Sequence, residues 1–357
     1  MAPAPKAGSA FAARLLSWFR QARRDLPWRR TRDPWAIWVS EVMLQQTRVE
    51  AVRVPFARFL AAYPTPAAFA AASEDELLVA WRGLGYYRRA RLLQQGAREV
   101  VARHGGVVPD DVEALAELPG IGAYTRGAVA SIAFGRPVVA IDGNVLRVTA
   151  RHRGVRSSIE TAAAQTAVRQ AVEAWLDPAS PGDFNQAMME LGAVVCTKAQ
   201  PRCGDCPVAA GCVARTTDSV ADLPVKKAPR AALDVAARVV LLVEAGHALG
   251  VRIPVGEPNA GQVELPGPGV LVAVDALDFA AELERRFGCR LTLGPVTATV
   301  KHAITHHRIT VRAHTGELRR RGRLQWFPLA TTTPWTTPAR KVFAATGLDL
   351  GEPAQQA

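Results

Sequence analysis

Residues 110–146 constrain this chain more than any other stretch, because they set two helical patterns on either side of a turn that few backbones can make. Val112 to Leu118 carries an apolar face, with Asp110 or Asp111 placed to cap its start. Leu118-Pro119-Gly120-Ile121-Gly122 interrupts the pattern, and Ala123 to Phe134 resumes it until Gly135 supplies a C-cap. Glycines at alternate positions let backbone N–H groups approach an anion, and the next helix adds the positive end of its dipole. The stretch predicts a hairpin of two helices whose turn suits a nucleic-acid phosphate; the plainer alternative is a simple helix–helix connection. Beyond it, Asp142-Gly143-Asn144 puts an acid at the mouth of the following helix.

Four of the five cysteines form a second constraint, Cys196-x6-Cys203-x2-Cys206-x5-Cys212. Thiols this close argue for metal ligation in a reducing compartment rather than for disulfides. Four thiolates on one loop can hold tetrahedral zinc or a cubane iron–sulfur cluster; structural zinc sites favour two CxxC pairs, and only one is present. Cys289 stands apart and reads as a small buried apolar residue. A length of 357 residues suffices for two cores, and a net charge of +12 suggests a polyanionic partner, although arginine-rich composition can also reflect genome base content. No apolar run reaches membrane-spanning length, and MAPAPKAGSA lacks the apolar core of a signal peptide, so a soluble cytoplasmic protein is expected.

Periodicity predicts helices over 9–24 (Ser9 as cap; Phe11, Leu15, Trp18 and Phe19 on one face), from Asp33-Pro34 through Gln46, and over 50–62, 66–71, 74–82 and 86–104. After the hairpin, helices are expected near 145–152, 159–175 and 183–195. Strand signals are nearly absent before residue 216. Residues 216–234, polar and basic with two prolines, read as a linker. Beyond it Val235–Val243, Val270–Val274, Val296–Val300 and Arg308–Ala313 are β-branched runs, broken by one helix at about 276–287. The expected organisation is a mainly α region over 9–215, an α+β domain over 235–350 and a disordered tail at 351–357.

These features support a resemblance. The hairpin followed by Asp142 resembles the helix-hairpin-helix DNA glycosylase superfamily, and the cysteine loop resembles the [4Fe–4S] loop of the endonuclease III and MutY families. Ile37-Trp38-Val39-Ser40-Glu41-Val42-Met43-Leu44-Gln45-Gln46-Thr47 is similar to the MutY signature. The resemblance implies a base excision repair enzyme that removes adenine mispaired with 8-oxoguanine or guanine in double-stranded DNA. It further implies a six-helix core at about 30–141, a cluster subdomain made of 9–29 with 142–215, a [4Fe–4S] cofactor on the four cysteines, and a monomer associated with the bacterial nucleoid. Glu41 then matches the general acid, and Asp142 the group that stabilises the sugar cation, with Asn144 beside it. Cleaving an N-glycosidic bond asks for such a pair, one carboxyl protonated and one ionised. Burial among Val42, Met43 and Leu44 would raise the pKa of Glu41, and the helix dipole would keep Asp142 charged. Where lyase relatives carry a lysine this chain has Tyr124, and no lysine lies between Lys6 and Lys198, so the expected enzyme is monofunctional.

By the same resemblance Gln46 and Tyr86 wedge into the base stack, Arg88 and the hairpin residues Leu118, Gly120 and Gly122 meet the DNA backbone, and Trp28, Arg29 and Gln186 surround the extruded adenine. The C-terminal domain resembles a Nudix fold without its glutamate-rich helix. A Phe-Ser-His loop in that family reads the oxidised guanine; here Ile304, Thr305 and His306 occupy it, leaving Thr305 and His306 to recognise the lesion. Two alternatives stand beside this reading: a related glycosylase for another mispaired base, and a non-enzymatic helix-hairpin-helix DNA-binding protein.

Overall fold

The computed structural model describes residues 7–226, 231–257, 259–269 and 278–351. Its packing separates into two units, Met1–Ala71 with Arg88–Ala228 and Ala72–Tyr87 with Pro229–Ala357. The changeover at 228/229 falls inside the expected linker. Residues 72–87, by contrast, lie in the stretch assigned from sequence to the six-helix core, yet they group with the second unit.

Among its described residues the first unit is helical. It comprises α1 (Ala7–Ala22), α2 (Pro34–Leu44), α3 (Val49–Ala62) and α4 (Pro66–Ala70); α5 (Glu74–Ala80) belongs to the second unit. It continues with α6 (Arg88–His104), α7 (Val112–Glu117), α8 (Ala123–Phe134), α9 (Gly143–Arg153), α10 (Ala162–Trp175), α11 (Pro181–Val194) and α12 (Val213–Thr216). Most boundaries follow local chemistry. Asp33 caps α2, its carboxylate accepting from the N–H groups of Trp35 and Ala36 at 3.2 Å each, and Thr161 caps α10. Several expected boundaries shift. Helix α1 starts at Ala7, so Ser9 lies within it rather than capping it. Helix α2 stops at Leu44 because Arg89 Nη1 takes up its last carbonyls, those of Val42 (2.8 Å) and Met43 (3.0 Å) together with Gln45, after which Gln46 turns to φ 56°. Helix α6 starts at Arg88 rather than 86 because Gly83, Gly85 and Tyr86 all take positive φ.

Helix α2 is buried from Trp35 to Met43, the mark of a helix that is apolar all round and runs through a core. Leu15, Phe19, Val145, Val168, Phe184, Met188 and Leu191 join α1, α9, α10 and α11 in one apolar cluster. At Gly192 helix α11 passes so close to α9 that an added Cβ would sit 2.5 Å from that of Asn144.

The second unit is α+β. Its described elements after α5 are β1 (Leu233–Val240), β2 (Val243–Glu244), β3 (His247–Arg252), β4 (Val263–Glu264), α13 (Phe279–Phe287), β5 (Arg290–Ile304), β6 (His307–Arg320), β7 (Gln325–Pro328) and α14 (Thr337–Ala345). One sheet has the order β1-β6-β5, with β1 parallel and β5 antiparallel to β6; β3 pairs antiparallel with β2, β4 and β7. Helix α13 packs through Phe279, Leu283 and Phe287, and α14 through Ala339, Val342 and Phe343. The runs expected at 235–243, 296–300 and 308–313 fall within β1/β2, β5 and β6. Val270–Val274 and residues 352–357 of the tail lie outside the described residues. Strands β3, β4 and β7 and helix α14 were not anticipated, although Thr336 followed by Pro338 is a start signal for α14. Residues 72–87 are tied in by Arg82, whose guanidinium donates to the carbonyls of Thr331 and Thr333 (the latter at 3.2 Å), and by Asp75, which pairs with Arg252 at 2.6 Å.

Candidate active site

Three local devices in the first unit converge on one cavity of about 480 Å³, a size that suits a small heteroaromatic guest. The first is Glu41, near the end of α2 and only 5% exposed. Burial, helped by the nearby Asp142 carboxyl, pushes its pKa up to about 7, against the pull of a hydrogen bond from Tyr124 and of the Arg29 charge. The second is Tyr124, in the first turn of α8. The hairpin delivers its hydroxyl to Glu41 Oε2, with Met189 Sδ 3.7 Å away, and burial raises that hydroxyl's pKa well above its usual value.

The third device is Asp142, the N-cap of α9. Its Oδ1 accepts from the N–H groups of Asn144 (2.9 Å) and Val145 (2.8 Å), and its Oδ2 accepts from Asn144 Nδ2 (2.8 Å). These bonds pull its pKa down, but burial outweighs them and leaves it above the ordinary aspartate value, so the dipole alone does not decide its charge. Asn144 is fixed in turn by Arg147, which donates to Asn144 Oδ1 (2.8 Å) and to the carbonyls of Gly192 (2.7 Å) and Cys196 (2.8 Å).

The cavity wall brings together Glu41, Tyr124, Asp142, Asn144, Gln46, Trp28, Arg29 and Gln186. Sequence reasoning missed Arg24, Gln45, Met189 and Glu190, which also line it. Only Gln45 lay within a quoted motif; its Nε2 donates to Thr125 Oγ1 at 3.3 Å. In the hairpin Gly120 takes φ 81°, with Leu92 close enough to exclude a Cβ, and Gly122 is the N-cap of α8. Leu118 is 2% exposed, so its side chain packs inward and only its backbone faces the turn. Arg88 begins α6.

All four cysteines of the 196–212 loop line a second cavity of the first unit. The donor set suits a metal cluster. Burial raises the Cys206 thiol to about 11, and the three neighbouring sulfurs add to the rise, so four thiolates there need a cation among them. Arg151 Nη1 donates to Cys196 Sγ at 3.4 Å. Arg202 is engaged with the Val194 carbonyl (2.8 Å) and Asp205 (3.6 Å).

In the second unit Tyr86, Ile304 and Thr305 line a cavity of about 600 Å³. Thr305, at φ 53°, turns the chain from β5 to β6; its hydroxyl donates to the Ile304 carbonyl at 2.7 Å and lies 3.3 Å from His306 Nδ1. Tyr86 is 51% exposed.

Residues 39–176 match the family described as HhH-GPD superfamily base excision DNA repair protein. The chain is 47% identical over 216 residues to the adenine DNA glycosylase of Homo sapiens, covering 58% of this chain and 40% of that protein. It is likewise 47% identical over 196 residues to that of Mycolicibacterium smegmatis, covering 54% and 66%. The chain thus spans about two fifths of the length of the first mammalian relatives it matches. Among solved structures, a thermostable thymine-DNA glycosylase superposes with TM-score 0.54 at 28% identity, covering 59% of this chain and 97% of the other. A trapped endonuclease III–DNA covalent intermediate superposes with TM-score 0.50 at 26% identity, covering 58% and 94%. Residues 39–176 thus form a domain of the HhH-GPD superfamily of base excision DNA repair proteins.

Proposed function

We propose that the protein is a monofunctional adenine DNA glycosylase acting on adenine opposite 8-oxoguanine or guanine in double-stranded DNA. The observation that carries this reading is the pair of carboxyls in one base-sized cavity, Glu41 buried and held near neutrality and Asp142 half-buried and hydrogen-bonded by Asn144. Glu41 would deliver its proton to a ring nitrogen of the extruded adenine. The bond between the sugar C1′ and the base then breaks with its electrons going to the base, and ionised Asp142 offsets the positive charge left on the sugar. Water adds to C1′ and gives up its proton. Tyr124 offers no amine for a Schiff base, which supports hydrolysis over lyase chemistry.

Cys196, Cys203, Cys206 and Cys212 would hold a [4Fe–4S] cluster, which supplies thiolate–iron bonds that tie the loop together. In this reading the hairpin backbone and Arg88 meet phosphate, Gln46 and Tyr86 enter the stack, and Trp28, Arg29 and Gln186 surround the adenine. The second unit is read as a Nudix-like module that recognises the oxidised guanine through Thr305 and His306. The protein acts as a monomer on the bacterial nucleoid.

The test is single-turnover base release from duplexes carrying adenine:8-oxoguanine, adenine:guanine and thymine:guanine pairs. Adenine release from the first two is expected, with Glu41→Gln slower by at least about 100-fold at nearly unchanged duplex affinity. Release of thymine instead would select the related-glycosylase alternative. Duplex binding with no release from any pair would select the non-enzymatic one.

A further inference from the structure

The cavity wall contains a carboxylate that the proposed chemistry does not use. Glu190, on α11, has a fully buried side chain. Its Oε1 accepts from the backbone N–H of Arg24 (3.1 Å) and from Arg24 Nε (2.8 Å), and its Oε2 from Arg24 Nη2 (2.8 Å) and Arg29 Nη2 (2.9 Å). Arg29 is further pinned by its own Nη1, which donates to the Arg24 carbonyl at 3.2 Å, and by the Phe19 ring, whose centroid lies 5.4 Å from the guanidinium carbon. Both arginines line the cavity that holds Glu41 and Asp142.

We propose that Glu190 is a positioning residue for the general acid: it fixes Arg24 and Arg29 in the cavity wall and offsets part of their charge, so that Glu41 is left free to carry a proton. The proposal rests on the reading of Glu41 as the acid. Three titratable or charged groups face Glu41: Tyr124 from α8, Asp142 from the cap of α9, and Arg29 from the turn before α2. Arg29 is the one cation of the three, and it favours the ionised carboxylate. A largely enclosed guanidinium stripped of its partner favours the ionised form of any other carboxyl within range of its charge, and Glu41, on the same cavity wall, is such a group. Glu190 itself is held ionised: burial opposes its charge, but the hydrogen bonds from Arg24 and Arg29 overcome this and keep its pKa at about 2. Its compensation is therefore constant across the working pH range.

Full-length protein carrying carboxyl-¹³C-labelled glutamate, without DNA, reports the Glu41 titration directly by NMR. In Glu190→Gln the titration is expected to move down by about one pH unit or more, and the alkaline limb of single-turnover base release to move with it, cutting release at pH 7.5 about tenfold. Adding Arg29→Met to that variant should move the titration back up. Arg29→Met alone, which leaves Glu190 in place, should raise it, and it serves if Glu190→Gln fails to fold. A purely structural ion pair would lower stability or rate at every pH without moving the titration. An unchanged Glu41 titration in Glu190→Gln, or in Arg29→Met, overturns the proposal. Because the NMR measurement needs no substrate, absence of adenine release from wild type would count against the proposed function while leaving this inference standing.

Discussion

A carboxyl that is 5% exposed and shares its cavity with a second carboxyl is held near neutrality by the cost of burying charge. Glu41 and Asp142 are both raised by burial, yet they are supported differently. Asp142 receives three hydrogen bonds that favour its anion, whereas Glu41 receives one, from Tyr124. That difference supports the proposed division into proton donor and anion within one pocket. It also predicts a bell-shaped pH profile for base release under single turnover. The rate should fall above about pH 7 as Glu41 loses its proton, and fall on the acid side as Asp142 gains one. Tyr124→Phe removes a bond that lowers the pKa of Glu41, so its alkaline limb should move to higher pH. A limb that stays in place would mean that Glu41 is not the group titrating.

Among the secondary-structure elements, the parts of the site that could be read from sequence are those made by neighbours in the chain. Asp33-Pro34 starts α2, the Pro/Gly turn sets Tyr124 in the first turn of α8, and Asp142 caps α9, each through contacts spanning a few residues. The parts that could not be read join distant segments. Arg24 and Glu190 are 166 positions apart, and neither carries a local signal. Arg89 was visible as a basic residue, but nothing in sequence says that it ends α2 by collecting its carbonyls. Of the second unit's missed strands, β4 is a two-residue ladder that leaves no alternation to detect. The cysteine loop is local again, and its expectation is concrete. Purified protein should contain about four iron and four sulfide per chain, and Cys203→Ser, with three thiolates left, should lose iron and melt at lower temperature. One equivalent of zinc without iron would refute the cluster.

For the whole molecule, lesion selectivity is expected to lie in the second unit, where Tyr86 and Thr305 line one cavity although they are far apart in sequence. Thr305→Ala with His306→Ala should lower the preference for adenine:8-oxoguanine over adenine:guanine about tenfold or more, as the loss of one or two base-reading hydrogen bonds implies. Equal losses on both pairs would make the unit a general basic clamp. Point variants are the right instrument, since truncation after residue 215 would also strip Asp75 and Arg82 of their partners at 252, 331 and 333. That same arrangement bears on how the chain is made. Residues 72–87 leave the ribosome well before Thr333 has been synthesised. At roughly 5–20 residues per second, they wait on the order of 10 s or more before Arg82 can find its carbonyls. The helical unit flanking them can begin to fold in that interval, so completion of the second unit comes late.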